Sequence, residues 1–402
     1  MGSTLTFRAA RMPDGSVGEI HVVDGVVSEE PGPDAPVFDL GGMLLLPAFA
    51  EIHSHLDKAF LADRFPNPTG DLMSAIEVMH TGWPTVTEDD ITRRANRAVR
   101  SYLAAGVTAI RTHADLNPDA GLKSVRALTR LRDEVRQLVD LQVVALTTYL
   151  TGPDGATGRS LLQQAIDAGI DVTGSCPHIE EDPARTIETT LAAAADAGID
   201  VDLHLDEVLD PDIQHLDILV DSVERHGLYG RVTASHCVSH GLLDPAEQRR
   251  IARRMAGAGI AVVTNPRTNL FLQSRGREQA TPRGLTGVAA LVEEQVTVAA
   301  GSDNIQDPFS VIGRADPLET ASLLVSAAHR TVDEATAMVS DAARQVMRAP
   351  RPGFAPGAPA DFVAVEADSV REAVAEQPVS RVVIRAGRIV ARTSIDRWIV
   401  DD

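Results

Sequence analysis

Short apolar runs recur through the middle of the chain, near residues 48–53, 107–112, 141–147, 170–174, 200–204, 231–236, 260–264 and 296–301, and they alternate with longer amphipathic stretches. Strand-length runs alternating with helical ones predict parallel βα units, and eight units predict an α/β fold of the (β/α)8 TIM barrel type. The stretches 90–105 and 184–197 carry helix formers, and several such stretches close on Ala-Gly, the sequence of a helix C-cap. Both ends of the chain read differently. Residues 5 to 46 are short strands broken by turns, with Glu19-Ile20-His21-Val22-Val23 and Val26-Val27 on either side of Asp24-Gly25. The same style resumes after the Pro/Gly-rich stretch Pro350 to Pro359, in Asp361-Phe362-Val363-Ala364-Val365 and Arg381-Val382-Val383-Ile384. A small sheet domain built from 1–46 and 350–402, beside a barrel spanning 47–349, is the expected organisation.

Composition sharpens this picture. Apolar residues make up 44% of the chain and aromatics only 3%, so the core must be aliphatic, as the interior layers of a parallel barrel are. A net charge of −20 argues against nucleic acid and anionic membrane surfaces as partners. No apolar run reaches the ~20 residues that span a bilayer, and Met1-Gly2-Ser3-Thr4 lacks the order of a secretory signal, so a cytoplasmic enzyme is expected. The two cysteines, Cys176 and Cys237, form no C-x-x-C pair. Any metal site must therefore use imidazoles and carboxylates.

In parallel barrels the reactive residues end the strands. The first run closes in Glu51-Ile52-His53-Ser54-His55, where His53 and His55, two apart, face the same side of an extended segment. The fifth run ends at His204, the sixth at Ser235-His236 and the eighth at Gly301-Ser302-Asp303. Imidazoles and a carboxylate, with one position left to water, suit one divalent ion, Zn or Fe(II), and the natural use of such an ion is hydrolysis.

With these residues in view, the chain resembles the amidohydrolase superfamily, and within it the bacterial cytosine deaminase group, over nearly its whole length. The resemblance is carried by Leu46 to Asp57, by Ile110-Arg111-Thr112-His113-Ala114-Asp115 and by Pro177-His178-Ile179-Glu180. It continues in His204-Leu205-Asp206-Glu207, Val232 to His236, Asn265-Pro266, Gly301-Ser302-Asp303-Asn304 and Asp307-Pro308. It implies a mononuclear site with His53, His55, His204 and Asp303 as metal ligands, Glu207 as proton shuttle and His236 as the group that orients or polarises water. The implied chemistry is attack of metal-bound hydroxide on a carbon of a C–N bond, with Asp303 taking the water proton and Glu207 moving protons to the ring nitrogen and the leaving amine. It implies too that the terminal strands form a β-sandwich domain and that the protein is a homo-oligomer. Binuclear relatives bridge two metals through a carboxylated lysine ending the fourth strand. The chain has only two lysines, Lys58 and Lys123, and that strand runs into Thr173-Gly174-Ser175-Cys176-Pro177, so a single metal is expected.

The pattern departs from the family in the pocket. Thr147-Thr148-Tyr149 stands where cytosine deaminases carry a ring-reading glutamine, Asn304 replaces a second acid, and Phe309 replaces a tryptophan. Thr148, His178, Asn304, Phe309 and Gln273 are the expected substrate contacts. Lys58 reads as a rim ion pair and Asp57 as a buttress of its loop. His113 reads equally well as a support for the ligands or as a structural histidine, and His80, His240 and the remaining histidines read as mostly solvated. The expected substrate is a small heterocycle such as a cytosine-like pyrimidine, a triazine or a cyclic amidine, losing ammonia or an alkylamine. A cyclic amide or lactam hydrolase on the same site is the alternative, and a barrel kept for binding alone is the non-enzymatic one.

Overall fold

The computed structural model describes residues 4–396, 398 and 399; the Met1-Gly2-Ser3 part of the N-terminal reading lies outside them. Five strands come first: β1 (Leu5–Arg11), β2 (Val17–Val23), β3 (Val26–Ser28), β4 (Val37–Asp39) and β5 (Leu44–Pro47). Eight parallel strands follow: β6 (Phe49–Ser54), β7 (Val107–Leu116), β8 (Asp140–Thr147), β9 (Val172–Ser175), β10 (Asp200–Leu205), β11 (Val232–His236), β12 (Ala261–Thr264) and β13 (Val298–Ala300). Each pairs with its sequence neighbour, from β6 through to β13. A parallel bridge between Ser54 and Asp303, with the Asp303 amide donating to the His53 carbonyl at 2.9 Å, joins the first strand to the end of the last. The chain is thus a (β/α)8 barrel, its strands within a few residues of the apolar runs. The helices Glu88–Ala104 and Pro183–Ala197 occupy the stretches read as helical, and Gly198, at φ +69°, ends the second of them in the left-handed conformation that Ala-Gly foreshadows.

The chain ends return in β14 (Phe362–Val365), β15 (Arg381–Arg385) and β16 (Arg388–Thr393). They join the first five strands in one hydrogen-bonded network through antiparallel pairing of β14 with β5. Strand alternation explains how this sandwich-like unit both closes its own core and sits on the barrel. Leu45, Phe362, Ala364, Val382 and Ile384 pack with Phe7 and Val22 in the terminal core, whereas Leu44, Leu46, Val363, Val365 and Val383 join the barrel core. The hairpin turn at Asp24-Gly25 has both residues at positive φ, +53° and +84°, the geometry that matches the twist of paired strands.

A buried ion pair locks the two units. Arg381 on β15 donates to both oxygens of Asp316 at 3.0 and 2.9 Å and to the Ala105 carbonyl at 2.7 Å, while Asp316 caps the helix Pro317–Ala327. Removing Arg381 leaves the buried Asp316 carboxylate with only the half-exposed Arg314, 3.3 Å away, as a charged partner. Arg381→Ala should therefore lower unfolding stability by about 3–5 kcal/mol, read from denaturant unfolding. A loss no larger than that of an exposed arginine would show that the junction does not depend on this pair.

Candidate active site

Four ligand atoms meet at the C-terminal end of the barrel. His204 Nε2 lies 3.1 Å from His53 Nε2 and 3.1 Å from His55 Nε2, and Asp303 Oδ1 lies 3.2 Å from His55 Nε2 and 3.7 Å from His53 Nε2. These four separations are of the size found between neighbouring ligand atoms that each lie about 2.0 Å from one ion, as around Zn. Protons alone do not satisfy the arrangement. One nitrogen faces two others, and neither oxygen of Asp303 has a hydrogen-bond partner although the side chain is buried. Burial, reinforced by neighbouring imidazoles, pushes the His53 and His204 rings well below the usual histidine range, which favours the neutral, ligating form. Burial next to Glu207 and Asp307 pushes the Asp303 carboxyl well up, so an ionised Asp303 calls for a cation at its oxygens. The donor set fits a divalent metal ion.

The β-framework explains the convergence. His53 and His55 flank Ser54 at the end of β6, so strand alternation turns both imidazoles inward while the Ser54 hydroxyl donates outward to the Arg111 carbonyl at 2.9 Å. Glu51, buried two residues earlier, accepts from the His53 and Ser302 amides and, at 2.7 Å, from the Ser302 hydroxyl. That carboxylate therefore ties the first strand end to the last. Burial pushes Glu51 up to about 7 despite these bonds. His236 and Asp303 sit at φ +72° and +66°, left-handed conformations that cost a side chain other than glycine conformational free energy.

Below the ligands lies a polar layer that orients them. Ser235 gives its only proton to Asp202 at 2.7 Å, so it can only accept from the His53 Nδ1–H, 3.0 Å away. This leaves the lone pair of His53 on Nε2, pointing at the ligand cluster. Arg111 donates to the other oxygen of Asp202 at 2.9 Å and from its Nε to the Gln142 amide oxygen at 3.0 Å. His53, His113 and Asp202 also lie within ligand distance of one another. The Arg111 guanidinium on Asp202 opposes a second cation there. His113 stacks on His53, with ring centroids 4.0 Å apart.

A cavity of about 350 Å³ opens from this cluster and includes Glu207 and His236 in its wall. Burial raises the Glu207 carboxyl to about 8 and depresses His236 to about 3, so near neutrality the first carries its proton and the second is uncharged. Asn269 joins them, its amide reaching Glu207 Oε1 at 3.1 Å and His236 Nδ1 at 3.2 Å. Nothing in the spacing of Asn269 singled it out, because it lies one turn into the helix Pro266–Leu272 and its role depends on how that helix is laid against β11.

Of the expected substrate contacts, Thr148, Asn304 and Phe309 line the cavity. Asn304 donates one amide hydrogen to Asp307 at 2.9 Å. His178 and Gln273 stand outside the lining. His178 packs by Cys176, Nδ1 at 3.8 Å from the sulfur, and Gln273 donates to the Glu207 carbonyl at 3.2 Å. Lys58 is not at the rim as expected but buried, paired with Asp115 and 3.7 Å from Asp57. Asp57 accepts from the Asp115 amide at 2.9 Å, in the buttressing role expected of it. His80 also departs from the solvated reading: it lines the cavity, held by Asp119 at 2.8 Å and the Tyr149 hydroxyl at 3.2 Å. His240 is buried against the Gln248 carbonyl at 3.1 Å.

The chain is similar to known proteins over nearly its whole length. The sequence profile of the amidohydrolase family matches residues 59–391. A pterin deaminase of Rhizobium rhizogenes is 31% identical over 394 residues, covering 94% of this chain and 89% of that protein. The crystal structure of 5-methylcytosine deaminase from Klebsiella pneumoniae, liganded with 5-fluorocytosine, superposes with a TM-score of 0.90 at 27% identity, over 98% of this chain and 99% of that one. That of N-isopropylammelide isopropylaminohydrolase from Burkholderia multivorans superposes with a TM-score of 0.83 at 30% identity, over 97% and 98%.

If the Ser235–Asp202 pair sets the His53 tautomer, Ser235→Ala should weaken affinity for Zn by about 10–100-fold, the usual effect of losing a partner that orients a ligand. Chelator competition measures this, and affinity equal to that of the unaltered protein would remove Ser235 from the metal centre.

Proposed function

The chain belongs to the amidohydrolase family, and on that premise we propose that it is a mononuclear metal-dependent hydrolytic deaminase of an N-heterocycle such as a cytosine-like pyrimidine, a triazine or a cyclic amidine. What carries this reading is the cluster of His53, His55, His204 and Asp303 with Glu207, a buried carboxyl that desolvation pushes up to about 8, in the same cavity wall. One divalent ion, Zn or Fe(II), held by His53, His55, His204 and Asp303, would supply the Lewis acidity that makes water a nucleophile near neutral pH. A single ion is favoured because β9 ends without a lysine and because Arg111 occupies Asp202.

The remaining steps belong to the side chains. Asp303 is placed to receive a proton from water, and His236 Nε2, 3.9 Å from Asp303 Oδ2, stands where it can donate to the developing oxyanion. Both ring nitrogens of His236 face asparagine amides, Nδ1 that of Asn269 at 3.2 Å and Nε2 that of Asn265 at 3.3 Å, which fixes the orientation of the ring. Glu207 holds a proton it can give to a ring nitrogen and regain for the departing amine, because burial balances its two states near neutrality. The leaving group is ammonia or an alkylamine. Two buried, unpaired cysteines are compatible with a reducing, cytoplasmic setting.

Metal analysis followed by an amine-release screen across aminopyrimidines, aminotriazines and cyclic amidines tests the proposal. Ammonia or amine released in step with ring product is the expected result; ring opening without amine release would replace deamination by cyclic amide hydrolysis. Glu207→Gln should lower kcat by about 10²–10⁴-fold with metal content unchanged, and a kcat within threefold or so of the parent enzyme would dismiss Glu207 as the proton carrier.

A further inference from the structure

The cavity has two chemically different ends. Its inner end is the polar cluster just described. Its outer wall is one face of the helix Leu72–Gly82, where Leu72, Met73, Ile76 and Met79 all turn toward the space. Their spacing of about one helical turn puts them on a single stripe. Met73 is 61% exposed although it lines the cavity, and Leu72 and Ile76 are only half-buried. An apolar stripe left partly open beside a reaction centre is surface that a ligand covers. The opposite side is Tyr149, at φ +62°, whose amide is anchored on Glu180 and whose hydroxyl reaches His80 on the helix. The tyrosine ring thereby spans the opening between the β8 loop and the helix.

Charge restricts what can enter. Asp154, Glu180 and Glu181 line the outer end, and Asp119 stands behind His80. Among the described residues lining the cavity, Lys58 is the one lysine or arginine side chain, and it is engaged by Asp115 and Asp57. The negative field reaches the opening: beyond the effect of burial, Asp119, Glu180 and Asp154 each push the Tyr149 phenol up.

We propose that the space between the Leu72–Gly82 helix and Tyr149 is a subsite for an apolar, non-anionic substituent on the heterocycle, so that the preferred substrate is a ring bearing an alkyl or aryl arm rather than a bare ring or one bearing a carboxylate or phosphate. This rests on the deaminase reading and narrows it. A cavity of about 350 Å³ falls in the range of sites that enclose drug-sized ligands, larger than a single small ring. An arm lying on Ile76 and Met79 would keep water from the inner cluster while the ring meets Glu207 and His236.

The test is a matched series on one ring: unsubstituted, alkyl-substituted, and carboxyalkyl-substituted at the same position. The alkylated ring should have kcat/KM about tenfold or more above the unsubstituted one, the discrimination an apolar pocket gives for a few methylenes. The carboxylated ring should fall about tenfold or more below the alkylated one. Ile76→Asn should bring the first ratio close to one, and Met73→Gln, at a more exposed position, should reduce it in the same direction if the first variant fails to fold. Equal kcat/KM for bare and alkylated rings, or variants that lower both by the same factor, overturns the subsite while leaving deamination standing. A carboxylated ring used as well as the alkylated one overturns the exclusion of anions. No turnover with any ring overturns the deaminase reading, and the subsite falls with it.

Discussion

Three imidazole nitrogens and a carboxylate oxygen, with His204 3.1 Å from both His53 and His55 and Asp303 3.2 and 3.7 Å from those same two rings, are a configuration that proton placement cannot satisfy, and the rest of the barrel is arranged to maintain it. Left to themselves, such groups would turn away to find hydrogen-bond partners or water. Two of them are kept facing inward from behind, His53 by Ser235 and Asp303 by its backbone bond to His53, and Glu51 ties both of their strand ends. A cation converts the clustered lone pairs from a liability into coordination, so the free energy spent in converging them becomes metal affinity.

The burial that serves the metal also prepares the proton chemistry. The same desolvation that neutralises the ligating imidazoles raises Glu207 and lowers His236, leaving one group with a proton to give and the other without charge. Asn269 binds the two into one unit, so their orientation is set by a helix that neither belongs to. Beneath them, Arg111 and Asp202 neutralise each other inside the barrel, which lets a polar layer lie under the site without adding net charge to it.

How far these features can be read in the linear chain differs from residue to residue. His53 and His55 are legible because strand alternation is local: two residues apart on an extended segment means one side. His204 and Asp303 are legible because parallel barrels put strand ends on one rim. Lys58 was misread because its neighbour in sequence, Asp57, gives no hint of Asp115, which arrives from β7 to bury it. His80 was misread for the same kind of reason, since its partners Asp119 and Tyr149 come from two different loops.

The chain alone determined its eight parallel strands, its returning terminal sheet and the set of groups that end the strands, because periodicity, turn chemistry and the β-strand's two-residue repeat act over a few neighbouring positions. Only the tertiary structure decided the tautomer of His53, the joining of Glu207 to His236 through Asn269 and the apolar wall that faces them. Those depend on hydrogen bonds and packing between segments tens to hundreds of residues apart, and the distance between such segments is set by the fold rather than by any local preference.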